Sequence, residues 1–231
     1  MTSKVKYFLL FVITLFIIIS SSQEISSMVE NNDIFFKSGS RDEKLIALTF
    51  DDGPHPKETH EVLDILDKYN VKGTFFVVGK HANWYSEPLI RASKEGHEIG
   101  NHTFSHPDIS NLSSDDIKRE IKECEDTLVK ITGKKPTLFR PPYGSYSEDK
   151  LGKIAKECGY KIILWTTIDA KDWKNPPSVQ ISDTIINKVQ NGDIILLHDY
   201  GTENTVKALD IIIPSLMEKG YKFVTVSEII N

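Results

Sequence analysis

Five short stretches carry side chains suited to acid–base or metal chemistry. They are Asp51-Asp52 in TFDDG, His102 and His106 in HTFSH, Arg140 in RPPYG, Asp169 with Asp172 and Trp173 in DAKDW, and His198-Asp199 in LLHD. Each follows an apolar, strand-like run. Asp is depleted in strands and resists burial, so two carboxylates at the end of LIALTF need a reason. Taken alone, DDG also reads as a solvated turn, and a His-x-x-x-His pair also reads as a surface or core pair. Two histidines and one carboxylate suit a divalent ion that keeps positions open for water and substrate. Arginine stays charged, so beside a carboxylate it fixes that group and holds it ionised. His198, next to an apolar strand and an Asp, can titrate near neutral pH and carry a proton. Together the parts describe metal-assisted hydrolysis, with a carboxylate base and a histidine acid on opposite sides. The chain has no Gly-x-Ser-x-Gly elbow for a serine nucleophile and no phosphate-cradling loop for phosphoryl transfer. The other histidines, His55, His60, His81 and His97, are assigned no function.

The elements that must position these groups alternate along the chain. Strands are expected at Leu45–Phe50, Gly73–Val78, Glu98–Asn101, Thr137–Arg140, Lys161–Thr166, Asp193–Leu197 and Lys222–Thr225, most of them short runs rich in Ile, Val or Phe. Helical spacing of apolar residues is expected at Thr59–Tyr69, Tyr85–Lys94, Ser114–Thr132, Glu148–Cys158, Ile181–Val189 and Asn204–Lys219. Such alternation implies an α/β fold with a parallel sheet and helices outside it. Seven strands are one short of the eight-unit barrel, so a distorted or incomplete (β/α) barrel with about seven parallel strands is expected. An open doubly wound sheet is the alternative, but no GxGxxG or Walker A loop supports it. In parallel barrels chemistry gathers at the C-terminal ends of the strands, where all five stretches fall.

Composition sets the outer limits. The 231 residues are 39% hydrophobic and 26% charged, ordinary for one globular core, and the net charge of −5 gives no case for nucleic acid. Cys124 and Cys158 lack metal-ligand spacing; free thiols are the simpler reading, with a single disulfide as the alternative in an exported protein. Lys4 and Lys6 precede an apolar run from Tyr7 to Ile19, followed by Ser20, Ser21 and Ser22. That pattern fits a signal peptide over residues 1–22; the run is short for a spanning helix, which needs about 18 residues, so an uncleaved anchor is the second choice. A polar linker is expected over 23–43, with an apolar knot at Ile34, Phe35 and Phe36, and a catalytic domain over 44–231. The protein is thus expected to be secreted or associated with the cell envelope.

With all five stretches in view, the chain resembles the polysaccharide deacetylase family, carbohydrate esterase family 4, also called the NodB homology domain. TFDDG, HTFSH, RPPYG, DAKDW and LLH are similar to its five motifs, in order, and the likeness runs from about Ile46 to the closing GYKFVTVSEI. The resemblance implies Asp51 as general base and Asp52, His102 and His106 as ligands of one divalent metal, usually zinc. It implies Arg140 holding Asp51, the Tyr143 N–H at the oxyanion, His198 as general acid and Asp172 as its tuning partner. Trp173 and Leu196 would line the substrate groove, Leu196 against the acetyl methyl. The implied reaction removes acetate from an N-acetylated sugar, with peptidoglycan N-acetylglucosamine or chitin-like oligomers as substrate. The other readings are an O-acetyl esterase of acetyl xylan type, a non-catalytic glycan-binding wall protein and a mononuclear iron oxygenase. Two departures stand out: WTTID is one residue longer than the family's usual approach to DAKDW, which bears on Asp169, and DYGTENT lacks the arginine often found after the final motif.

Overall fold

The computed structural model describes residues 34–166 and 168–231. The expected signal segment, and the linker as far as residue 33, lie outside the described residues. Among the described residues eight strands form: β1 (Phe35–Phe36), β2 (Leu45–Asp51), β3 (Thr74–Val77), β4 (Glu98–Asn101), β5 (Leu138–Phe139), β6 (Lys161–Ile163), β7 (Ile194–His198) and β8 (Lys222–Phe223). Seven of them run in the order β1-β6-β5-β4-β3-β2-β7, and β8 pairs with the start of β2. Every ladder between them is parallel. The two ends of the curled sheet meet through isolated bridges, Ser38 with Asp193 and Asp169 with Leu196, and through single hydrogen bonds such as Thr166 N–H to the Ile194 carbonyl, with no continuous ladder among the described residues. This is the expected incomplete barrel, closed by contacts rather than by a full ladder.

The helices are α1 (Glu58–Lys68), α2 (Gly79–Trp84), α3 (Ser86–Lys94), α4 (Ser114–Thr132), α5 (Glu148–Cys158), α6 (Ser178–Lys188), α7 (Glu203–Glu218) and α8 (Val226–Ile229). The sequence signals for α4 are strong and both ends fall where expected. Ser113 caps it by accepting from the Asp116 N–H, and Gly133 ends it at φ 72°, a left-handed conformation that suits a residue without Cβ. Two short helices are additions. Within α2 only Gly79 and Ala82 are buried, so GKHANW has no apolar periodicity to announce it. α8 begins in what reads as the end of the last strand, because Thr225 and Glu228 form a capping box there. The apolar knot at Phe35-Phe36 is a further addition: it pairs with Ile162 and Ile163 of β6 and covers the sheet edge.

Burial follows the strand pattern. Ile46, Leu48 and Phe50 on one face of β2 pack with Val62, Leu63 and Leu66 of α1 and with Leu209, Ile212 and Ile213 of α7. Ala47 on the opposite face packs with Phe76, Leu138, Ile163 and Ile194 in the barrel interior. Each fully buried Leu, Ile or Phe contributes about 1.5–3 kcal/mol of transfer free energy. Strand β2 is thus anchored on both faces, and the residues at its C-terminal end inherit a fixed position. Both cysteines are free thiols; Cys124 lies buried with its Sγ 3.4 Å from the Val77 carbonyl oxygen.

Candidate active site

The C-terminal ends of β2, β4, β5, β6 and β7 and the segments that follow them open onto a cleft of about 400 Å³. Asp51, Asp52, His102, His106, Tyr143, Trp165, Asp169, Trp173, Leu196 and His198 line it, so four of the five sequence motifs contribute several side chains and the fifth, RPPYG, contributes Tyr143. Arg140, from that same motif, lies just behind the cleft.

Asp51 is the last residue of β2 and is buried. Arg140 donates from Nη1 to Asp51 Oδ1 at 2.7 Å and to Thr49 Oγ1 at 2.8 Å, and its Nε and Nη2 donate to the carbonyls of Ile163 and Leu164. The guanidinium is completely buried, at 0% exposure, and stacks 4.0 Å from the Phe76 ring. A buried charge needs such pairing, because solitary burial of an ion costs far more than an ordinary contact returns.

Asp52 leaves the strand in a left-handed conformation, φ 74°, which Asp tolerates better than most residues. That turn, made by Asp52 itself, places two successive carboxylates in one cleft, although successive strand residues point to opposite faces. Gly53 follows where a Cβ would lie 2.3 Å from Asp199 Oδ2. Asp199 is buried; it accepts from the Gly53 N–H at 3.1 Å and from Thr59 Oγ1 at 2.5 Å. Burial pushes its carboxyl up to about 7, opposed by the Thr59 hydrogen bond.

His102 donates from Nδ1 to the Arg140 carbonyl at 2.7 Å, which fixes its tautomer and turns Nε2 toward Asp52 Oδ1, 3.6 Å away. His106 Nε2 lies 3.1 Å from the same oxygen. Ligand atoms of Asp52, His102 and His106 all fall within 4.8 Å of one another. One carboxylate oxygen and two imidazole nitrogens, converging with a side open to the cleft, fit a divalent cation that keeps positions for water and substrate. Burial alone would raise the Asp52 carboxyl, yet the hydrogen bond to His106 and the nearby imidazoles hold it well below the usual carboxylate range. Burial lowers the His102 imidazole, keeping it neutral and available as a ligand. The loop between the two histidines is held by Glu120 of α4, which accepts from the N–H groups of Phe104 and Ser105 at 3.0 and 2.8 Å and from Ser105 Oγ at 2.7 Å.

On the opposite wall, Asp172 accepts from His198 Nδ1 at 2.8 Å, from the His198 N–H at 2.8 Å and from Thr205 Oγ1 at 2.8 Å. The ring is thereby oriented with Nε2 free toward the cleft. Burial lowers the His198 pKa, but the Asp172 hydrogen bond and charge outweigh it, and the imidazole rises to about 9. Asp169 instead accepts from the Lys171 N–H and lines the cleft without touching His198. Tyr143 adopts φ 59° in the Pro142–Gly144 turn, its ring 4.6 Å from that of His106. Its N–H finds no acceptor among the described residues. Leu196 and Trp173 face the same cleft.

Sequence reasoning missed Glu120 and Thr205, gave His81 no function, and singled out Asp199 without a role. His81 donates from Nδ1 to the Asp52 carbonyl at 2.6 Å. It sits just beyond the C-terminal end of β3, so the strand-end rule that found the other groups would also have flagged it. Its three companions have local roles or none: His55 Nδ1 accepts from the Glu58 N–H, His97 Nδ1 accepts from the Gly73 N–H, and His60 lies beside Arg91.

The fold and this cleft define a parallel, incomplete barrel with a two-histidine, one-aspartate cluster and a separate Asp–His pair. Comparison with known proteins agrees: the family model described as polysaccharide deacetylase matches residues 38–163. The chain belongs to the polysaccharide deacetylase family, carbohydrate esterase family 4. A peptidoglycan-N-acetylglucosamine deacetylase of Bacillus cereus is 44% identical over 82% of this chain and 89% of its own length. Among solved structures, a peptidoglycan N-acetylglucosamine deacetylase superposes with a TM-score of 0.82 at 38% identity, covering 85% of this chain and 92% of that one. A family 4 acetyl xylan esterase from Clostridium thermocellum, in complex with a cobalt ion, gives a TM-score of 0.72 at 41% identity, covering 80% of this chain and 89% of that one.

Proposed function

We propose that this chain is an extracytoplasmic, metal-dependent N-deacetylase that removes acetyl groups from cell-wall glycan, with peptidoglycan N-acetylglucosamine as the principal substrate. The observation carrying the reading is the convergence in one cleft of Asp52, His102 and His106 with an Arg-held Asp51 and an Asp-held His198. The 44% identity to a named peptidoglycan-N-acetylglucosamine deacetylase supports the substrate class. Residues 44–231 serve as the catalytic domain, with the strand at Phe35–Phe36 docking the end of the linker on it. Residues 1–22 direct export, as cleaved signal or as anchor.

In this reading Asp52, His102 and His106 hold one divalent ion, zinc being the expected one, which when bound supplies Lewis acidity to water and to the amide oxygen. The remaining steps belong to the protein's own groups. Asp51 takes the proton of the attacking water, and Arg140 keeps its carboxylate aimed. The N–H of Tyr143, which has no acceptor among the described residues, donates to the developing oxyanion. His198 gives its Nε2 proton to the departing amine while Asp172 stabilises the imidazolium. Leu196 receives the acetyl methyl, and Trp173 closes the groove over the sugar. Acid and base each contribute about 10²–10⁴-fold.

A second reading, O-acetyl ester hydrolysis, is favoured by the 41% identity to an acetyl xylan esterase. A glycan-binding protein without activity has no need for the Asp51 and His198 arrangements. The test is acetate release from chitooligosaccharide, peptidoglycan and acetylated xylan by the purified, metal-loaded chain. Release from the first two carries the N-deacetylase reading, and release from xylan alone replaces it with the esterase. No acetate from any of the three, with folded and metal-loaded protein, sinks both.

A further inference from the structure

Three aromatic side chains are exposed among the described residues: Trp84, Tyr143 and Trp173, at 55%, 67% and 55%. Tyr143 and Trp173 line the cleft, whereas Trp84 does not. Trp84 is nevertheless joined to the loops around that cleft. Helix α2, which ends in Trp84, is tied to both loops that carry the metal-ligand candidates. The Gly79 and Lys80 N–H groups donate to the carbonyls of Thr103 and Phe104, Val78 N–H donates to the Gly53 carbonyl, and His81 donates to Asp52.

Trp84 is also backed by a row of rings. Its indole lies 5.4 Å from the His81 ring at 33°, and His81 stacks on Tyr200 at 4.3 Å and 12°. The His55 ring meets Tyr200 edge-on at 5.1 Å, and Tyr85 meets Trp84 edge-on at 6.3 Å. Tyr200 comes from the loop after β7, two residues beyond His198. The row therefore crosses the rim between the loops bearing Asp52 and His198. Trp84 belongs to none of the packed cores, and no step assigned above uses it.

We propose that Trp84, backed by His81 and Tyr200, is the stacking platform of an additional sugar subsite. It takes the pyranose face of a unit beyond the one being deacetylated. The inference rests on the glycan reading and deepens it. A cleft of about 400 Å³ is of the size that holds a single small ligand, so a polymer must continue across the rim. An indole presents a flat apolar face to the C–H groups of a sugar ring, and Lys80, with Nζ 5.5 Å from the Trp84 ring, supplies a donor for its hydroxyls. The same surface suits other flat or apolar ligands poorly. Net charge of −5 disfavours nucleic acid, and exposed Lys80 and Asn83 interrupt the apolar surface that a lipid face requires.

The test is equilibrium binding of N-acetylglucosamine oligomers to zinc-loaded Asp51→Asn protein by calorimetry, with dimer and hexamer compared. Trp84→Ala in that background is expected to lower the preference for hexamer over dimer about three- to tenfold, the worth of one aromatic contact. Trp84→Phe should keep most of it, and all the variants should share one unfolding temperature. A Trp84→Ala protein with the parent's hexamer preference, while the natural chain still releases acetate, overturns the platform alone. No oligomer bound and no acetate released removes the glycan reading and the platform with it.

Discussion

Arg140 donates to the Asp51 carboxylate at 2.7 Å from a position 89 residues further along the chain, and neither partner is more than a few per cent exposed. The same guanidinium also binds Thr49 Oγ1 and two strand-end carbonyls. It therefore joins the ends of β2, β5 and β6 as well as aiming one carboxylate.

Arg140→Met should accordingly damage the fold, not only the chemistry. Removing one partner of a buried, hydrogen-bonded ion pair costs about 3–5 kcal/mol, because the other is left charged and unpaired. Denaturant unfolding checks this, and a loss below about 1 kcal/mol would show that the pair does not brace the barrel.

Asp51 and Asp52 should separate by substitution. Asp51→Asn is expected to lower turnover by about 10²–10⁴-fold while bound metal stays stoichiometric, since the base makes no part of the ligand cluster. His102→Ala should lose metal and turnover together. Metal analysis of the two purified variants decides, and equal metal loss in both would mean that base and ligand are misassigned.

The Asp172–His198 pair predicts a pH dependence. In the proposed role of acid His198 must be protonated, and its pKa lies raised, about 9, because the Asp172 hydrogen bond and charge outweigh burial. Activity should therefore fall as pH rises through the His198 pKa. Asp172→Asn removes the charge that raises it, so the alkaline limb of the rate profile should move to lower pH. An unmoved limb would detach His198 from the proton delivery.

Glu120 holds the loop between His102 and His106 through three hydrogen bonds but touches neither imidazole. Glu120→Ala should weaken metal binding about 10–100-fold, as loss of a supporting group does elsewhere. Competition with a chelator at matched unfolding temperature measures it. Unchanged affinity would mean that the loop holds its shape without α4.

The sequence determined which ionisable groups stand at the strand ends. It could do so because parallel strands with intervening helices deliver their C-terminal ends to one side, so TFDDG, HTFSH, RPPYG, DAKDW and LLH had to meet. It was weaker wherever the local signal is slight. Two residues, Phe35-Phe36, are too few to declare a strand, and GKHANW has no apolar period to declare a helix.

Only the tertiary structure decided how the groups are held. Asp172 is the partner of His198 that the resemblance to the family implies, but the sequence does not show that the turn at Asp172–Lys174 sets its carboxylate against Nδ1 while Asp169 turns to the Lys171 N–H. Glu120 enters the site through the N–H groups of a loop, and the partners of Asp199 and His81, the Gly53 N–H and the Asp52 carbonyl, lie far along the chain, where no spacing rule marks such contacts. Adjacent Asp51 and Asp52 share one cleft because Asp52 turns left-handed, and they differ because one meets a buried guanidinium and the other two imidazoles. Residue type and strand order are written locally, but a hydrogen-bond partner is fixed only when the sheet has curled and its loops have packed.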